Sequence, residues 1–180
     1  MVNEMVLLVV DTQQLITRKE LYHFDVFVEN VCQLIASARQ KGKEVIYVCH
    51  DDGPESELTA GNPEFEIYDR FKPEEHEKIF IKHVNSSFKE SGLLEYLTEK
   101  EEKDVMIVGL QTDYCIDATI KAGFEHGFHM IVPSHTNSTY SNRFMTAEQS
   151  YQYHNEFIWN RRYAQCLPFA DALQMIQSQP

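Results

Sequence analysis

Cations are scarce in this chain, with 16 Lys and Arg against 28 Asp and Glu and a formal net charge of −12. A phosphate backbone or an anionic membrane surface needs concentrated positive charge, so nucleic-acid binding and attachment to acidic lipid are disfavoured. Cysteine is also sparse. Cys32, Cys49, Cys115 and Cys166 are widely spaced and form no Cys-x-x-Cys pair, which argues against a disulfide framework or a structural zinc site. Four free thiols suit a reducing cytoplasm, and Cys32, Cys49 and Cys166 lie on apolar faces where a thiol acts as a small core residue. The apolar run Met5–Val10 is too short to span a bilayer, has no basic segment before it, and stops at Asp11. It reads as a first strand, and no membrane association is expected. The seven glycines and six prolines gather into no linker, and no repeat or low-complexity tract breaks the sequence. One domain over 1–180 is the expectation, large enough for a core without staples.

What is present is an alternation of short apolar runs with helical spacing, the pattern of an α/β domain built on a parallel sheet. Strands are expected over about 5–10, 44–49, 78–82, 104–109, 128–133 and 163–167, rich in residues that suit strands buried on both faces. Phe27, Val31, Leu34, Ile35 and Ala38 share one helical face, and Gly42 stops that helix. Leu93, Leu94 and Leu97 begin a second. A third runs from about Asp113 to His126. A fourth covers Met145 to Trp159, capped by Thr146 with Gln149 three residues on, and Pro168 opens the last. The irregular stretch from about Asp51 to Lys78 is expected to wall a pocket.

Asp11, Lys82 and Cys115 each stand at or just past the end of an expected strand. Ligand sites in open parallel sheets lie outside the carboxyl ends of the strands, so three such residues form a candidate base, cation and nucleophile.

The segment Gly109-Leu110-Gln111-Thr112-Asp113-Tyr114-Cys115-Ile116, with Val9-Val10-Asp11-Thr12-Gln13, Lys82 and Gly127-Phe128, resembles the isochorismatase-like cysteine hydrolases, a superfamily that includes nicotinamidases. The resemblance implies a three-layer α/β/α domain with a six-stranded parallel sheet in the order 3-2-1-4-5-6. It also implies an Asp11–Lys82–Cys115 triad, and a cis Leu110–Gln111 peptide that turns the Gln111 N–H toward an oxyanion shared with the Cys115 N–H. Acyl transfer through a thioester, opening the C–N bond of a small amide, is the expected chemistry, without a cofactor. A helix N-terminus and Lys82 are expected to bring the thiol from ~8.5 to roughly neutral. Gln13, His50, Phe65, Tyr114 and His154 are the candidate substrate contacts; the helix carrying His154, Asn155 and Trp159, with Arg161 and Arg162 after it, is read first as core or subunit interface in a homo-oligomer, and second as reaching a pocket, its own or a neighbour's.

Two departures from the family pattern stand out. Metal-dependent nicotinamidases carry an Asp-x-His pair after the second strand, whereas Tyr47-Val48-Cys49-His50-Asp51-Asp52-Gly53 has no His two places beyond either carboxylate, and His76 and His83 have no partner at ligand spacing. No metal is therefore expected. His135 stands where the family usually has Asp after the fifth strand. A nicotinamidase proper is the second enzymatic reading, and a catalytically idle scaffold or thiol sensor is the alternative from another class.

Overall fold

A computed structural model describes residues 5–178, so the expected domain bounds 1–180 run four residues before and two beyond them. Strand β1 (Val6–Val10) is buried along its whole length and lies between β2 (Val45–His50) and β4 (Asp104–Leu110), parallel to both. Strand β3 (Lys78–Lys82) flanks β2, while β5 (His129–Pro133) and β7 (Gln165–Leu167) extend the sheet past β4, giving the order β3-β2-β1-β4-β5-β7. A two-residue strand, β6 (Asn137–Ser138), pairs with the end of β4. It is too short to leave a periodic signal, which is why the sequence suggests six strands and not seven.

Alternate residues of the central strands feed two separate cores, as the period of two in a strand requires. Leu7, Val9, Tyr47 and Met106 pack toward α1 (Phe24–Gln40) and α5 (Phe169–Ser178); Val6, Leu8, Ile46 and Val105 pack toward α2 (Leu93–Glu99) and α3 (Asp117–Glu125). The result is a helix–sheet–helix sandwich. Helix α4 (Ala147–Gln152) is short, and its N-terminus closes with a capping box between Thr146 and Gln149.

Three sequence expectations are corrected here. The helix expected from Asp113 opens with a π-helical turn, Thr112–Ile116, before α3, and the one expected from Met145 ends in a second, Tyr153–Trp159, after α4. Apolar periodicity does not separate α from π winding over one or two turns. Cys49 is buried, but Cys32 and Cys166 are only half-buried. Strand β3 sits at the sheet edge, as the order 3-2-1-4-5-6 implies, but it is not covered on both faces. Ile79 and Ile81 are 48% and 37% exposed, while Lys82 at its end is fully buried.

The stretch between β2 and β3 contains two short 3-10 turns, Pro63–Phe65 and Asp69–Phe71, and folds over the segment that follows β1. The N–H groups of Gln14 and Leu15 donate to Glu66 O and Glu64 O, and that of Tyr68 donates to Thr12 O. Ile67 and Phe71 are buried beneath it on the α1 side.

Candidate active site

Gly109 brings the ends of β1 and β4 together. It pairs with Val10 at a φ of 126°, and a Cβ there would meet the Val10 carbonyl oxygen at 2.0 Å. Only glycine permits that backbone approach. Asp11 then leaves β1 with a φ of 50°, its N–H donating to Val48 O at 2.8 Å. The chain leaves β4 through a Leu110–Gln111 peptide that is cis, and enters the π-helical turn that carries Cys115.

Lys82 reaches this point from two strands away. Its Cα is level with His50 of β2, and its side chain runs inward past that residue. The Nζ lies 2.7 Å from Asp11 Oδ2, 2.8 Å from His50 Nδ1, 3.1 Å from Val84 O and 3.3 Å from Cys115 Sγ. An ammonium with three hydrogens thus faces four acceptors. Lys82 and Asp11 are 0% and 1% exposed, so each charge depends on the other for compensation lost from water.

The second contact fixes the histidine tautomer. Because His50 Nδ1 accepts from Lys82, the ring hydrogen resides on Nε2, which donates to Asp52 Oδ1 at 2.8 Å. Gln13 clamps the same residue from behind. Its amide donates to His50 O at 3.0 Å and accepts from His50 N at 2.9 Å.

Burial dominates the electrostatics. It pushes the Cys115 thiol up to about 12, with the Asp11 carboxylate adding to the rise and Lys82 opposing it. The expectation of a thiol near neutrality is therefore corrected: desolvation outweighs the nearby cation. Burial also raises Asp11 above the usual carboxylate range, against the opposing pull of Lys82. A proton is held between a reluctant acid and a reluctant thiol.

The structure gathers Asp11, Lys82, Cys115 and His50, while the side-chain oxygen of Gln111, four residues before the nucleophile, accepts from Thr139 Oγ1 at 3.4 Å. Tyr114 is 54% exposed next to the nucleophile. Gln13 is fully buried, with its amide spent on the His50 backbone, so it shapes the site without facing solvent. Phe65 packs against the core on the α1 side, and His154 Nδ1 donates to Ser150 O at 2.8 Å while its ring lies 5.5 Å from that of Trp159. Trp159 is core, and its Nε1 donates to Asp117 Oδ1 at 2.8 Å. Arg161 and Arg162 line a cleft of about 730 Å³ with Phe128 and His129, at the starting end of β5, away from the catalytic cluster.

Sequence reasoning missed Asn85, whose Oδ1 lies 3.8 Å from Cys115 Sγ, and the polar bracing of the nucleophile turn. Thr112 Oγ1 donates to Asn137 Oδ1 at 2.7 Å, and the side-chain amides of Asn137 and Asn155 exchange hydrogen bonds of 2.9 and 3.1 Å. Of these, only Thr112, directly after β4 and Gln111, stood at a strand end where the sequence could have marked it.

His135 occupies its strand-end position at a φ of 55°, stacked on Tyr151 and His23, with a buried Nδ1 that has no hydrogen-bond partner. The residues after β2 do not fit the nicotinamidase metal site. Val48, two places before His50, is buried in the sheet, and Asp51 Oδ1 is taken by Gly53 N–H and the Thr59 hydroxyl, both at 2.8 Å.

The isochorismatase domain family model matches residues 5–157, most of the chain. The chain belongs to the isochorismatase family. Among curated members it is 34% identical over 116 residues to the uncharacterized isochorismatase family protein YrdC of Bacillus subtilis, covering 64% of this chain and 62% of YrdC. It is 24% identical over 107 residues to a streptothricin hydrolase of Streptomyces noursei, covering 59% of this chain and 39% of that protein. The chain thus spans less than two thirds of the length of these curated relatives. Solved isochorismatase folds overlay it more fully. One isochorismatase family protein matches with a TM-score of 0.83 at 30% identity, over 91% of this chain and 97% of that one. N-carbamoylsarcosine amidase of Thermoplasma acidophilum matches in fold with a TM-score of 0.73 at 19% identity, over 92% of this chain and 96% of its own. Among the described residues, no helix is long and apolar enough to cross a membrane.

Proposed function

We propose that this isochorismatase family member is a cysteine hydrolase that opens the C–N bond of a small amide through a thioester, with Asp11, Lys82 and Cys115 as the catalytic residues. The observation that carries the reading is the Lys82 ammonium lodged between the Asp11 carboxylate and the Cys115 sulfur, at 2.7 and 3.3 Å. Two proteins similar to this chain are named an amidase and a hydrolase, which supports the class of reaction.

The chemistry follows from the protonation balance. With the thiol near 12, Cys115 rests as S–H, and a base is needed at the moment of attack. Asp11, raised but paired with Lys82, takes that proton as sulfur adds to the amide carbon, and Lys82 holds the developing thiolate. The backbone N–H groups of Gln111 and Cys115 are the proposed donors to the oxyanion. Collapse of the tetrahedral intermediate breaks the C–N bond. Asp11 returns the proton to the departing ammonia or amine, leaving a thioester on Cys115. A water then attacks, Asp11 takes its proton, and the acid leaves as the thiol re-forms.

Tyr114 and Asn85 at the mouth are the proposed substrate contacts of the site. Homo-oligomerisation is part of the proposal. Tyr153 and Phe157, 45% and 70% exposed with rings 5.5 Å apart, offer an apolar face to a second copy. The deciding experiment is a screen of small amides for ammonia or amine release, with Cys115→Ala as control and mass spectrometry for an acyl adduct. Turnover that survives Cys115→Ala, or no turnover from any amide, overturns the reading.

A further inference from the structure

We propose that Asp11, His50 and Cys115 form a site for a zinc-class divalent cation, in competition with the Lys82 ammonium, and that occupancy silences the nucleophile. One carboxylate oxygen, one imidazole nitrogen and one sulfur from these residues all lie within 4.8 Å of one another. Among the described residues no other group of three His, Cys, Asp or Glu brings its donor atoms so close. A mixed oxygen, nitrogen and sulfur set of three, with a fourth position open, is a ligand set that zinc accepts.

Two further observations prepare the site. His50 already has the outer partner that metal-bound imidazoles use: Nε2–H donates to Asp52 Oδ1 at 2.8 Å, so the Nδ1 lone pair faces inward. Neither oxygen of the Asp11 carboxylate, 1% exposed, makes a well-formed hydrogen bond, and Oδ2 is ion-paired with Lys82. The present cation marks the spot. Lys82 Nζ is 2.7, 2.8 and 3.3 Å from the three donors, and zinc bonds of about 2.0–2.3 Å would draw each inward by roughly 1 Å or less. His50 and Asp52 side chains are 14% and 53% exposed, which opens an entry path.

The exchange is charge-neutral. The ion displaces the Cys115 thiol proton and the proton shared by Lys82 and Asp11, both released to solvent, so a 2+ charge enters as two protons leave. Sulfur bound to metal is no longer free to attack a carbonyl carbon.

The test is a Co²⁺ titration of the full chain without substrate, read as the near-ultraviolet thiolate-to-cobalt charge-transfer band. The wild type is expected to develop the band to one equivalent, and Zn²⁺ to bleach it. Cys115→Ala should lose it, and Asp52→Asn, a change at an exposed side chain, should weaken binding about 10- to 100-fold. Lys82→Met, with no competing cation, should bind at least ~10-fold tighter, an effect of about 1.4 kcal/mol by the standard conversion. The absence of a thiolate band from both wild type and Lys82→Met overturns the proposal, as does affinity unchanged in both Asp52→Asn and His50→Ala. The readout uses no amide, so its failure leaves amide hydrolysis standing, and failed turnover leaves this site standing.

Discussion

Lys82 Nζ lies 2.7 Å from Asp11 Oδ2 although β2 separates the strands that carry them. The long lysine stem spans the intervening strand, and His50 at the end of that strand becomes one of its partners at 2.8 Å. An ion pair this deeply buried is a commitment, since breaking either half strands a charge away from water.

Lys82→Met therefore should lower stability by about 3–5 kcal/mol in chemical denaturation, because the Asp11 carboxylate keeps its burial and loses its compensation. Adding Asp11→Asn should recover part of that loss. A double mutant no more stable than Lys82→Met would mean that the pair contributes through packing and not through charge.

Asp11→Asn alone separates thiol reactivity from catalysis. The substitution removes a negative charge that helps push Cys115 to about 12 and leaves Lys82 beside the sulfur, so iodoacetamide should alkylate Cys115 faster at neutral pH than in the wild type. Amide turnover should fall about 10²- to 10⁴-fold with the loss of the proton carrier. In the wild type, alkylation should keep accelerating as pH rises well above 8. Rapid alkylation of the wild type already saturated at pH 7 would contradict a thiol held protonated.

Gly109→Ala is expected to be among the most damaging single changes in the chain. Its Cβ would overlap the Val10 carbonyl oxygen, 2.0 Å away, at a φ of 126° that L side chains avoid. The atoms it would meet are all Val10 backbone, with no flexible group to yield, so the cost should exceed ~4 kcal/mol, or the protein should fail to accumulate folded. Circular dichroism melts of a soluble, wild-type-like Gly109→Ala would show that β1 and β4 can separate without loss.

His135 makes stability depend on pH in a defined direction. Burial, and then the neighbouring His23, lower it from its ordinary 6.5, and Tyr22 and Tyr151 complete the ring cluster around it. The unfolded chain then binds the proton more readily than the folded one. The folded state is favoured above the unfolded value and loses that advantage as pH falls through about 6.5. His135→Asn, which tolerates the φ of 55°, should flatten the fall in melting temperature between pH 7 and 5. An unchanged slope in that variant would move the acid sensitivity to another group.

The sequence by itself determined the sheet's central strands, because Val-, Leu- and Ile-rich runs of five to seven residues have nowhere to go but between two helical layers. It determined the Thr146–Gln149 cap, which is local hydrogen bonding, and it marked Asp11, Lys82 and Cys115 as strand-end residues. Tertiary structure decided the rest. A propensity argument buries Ile79 and Ile81 and exposes Lys82, yet the edge position of β3 reverses this, since only one strand lies beside it while the lysine finds Asp11 across the sheet. Gln13 looked like a pocket residue, but its amide matches the His50 backbone 37 positions away. The Cys115 titration, expected low from a nearby cation, goes up to about 12 because desolvation sums over every group packed around the sulfur. Chain order records none of those neighbours; folding supplies them.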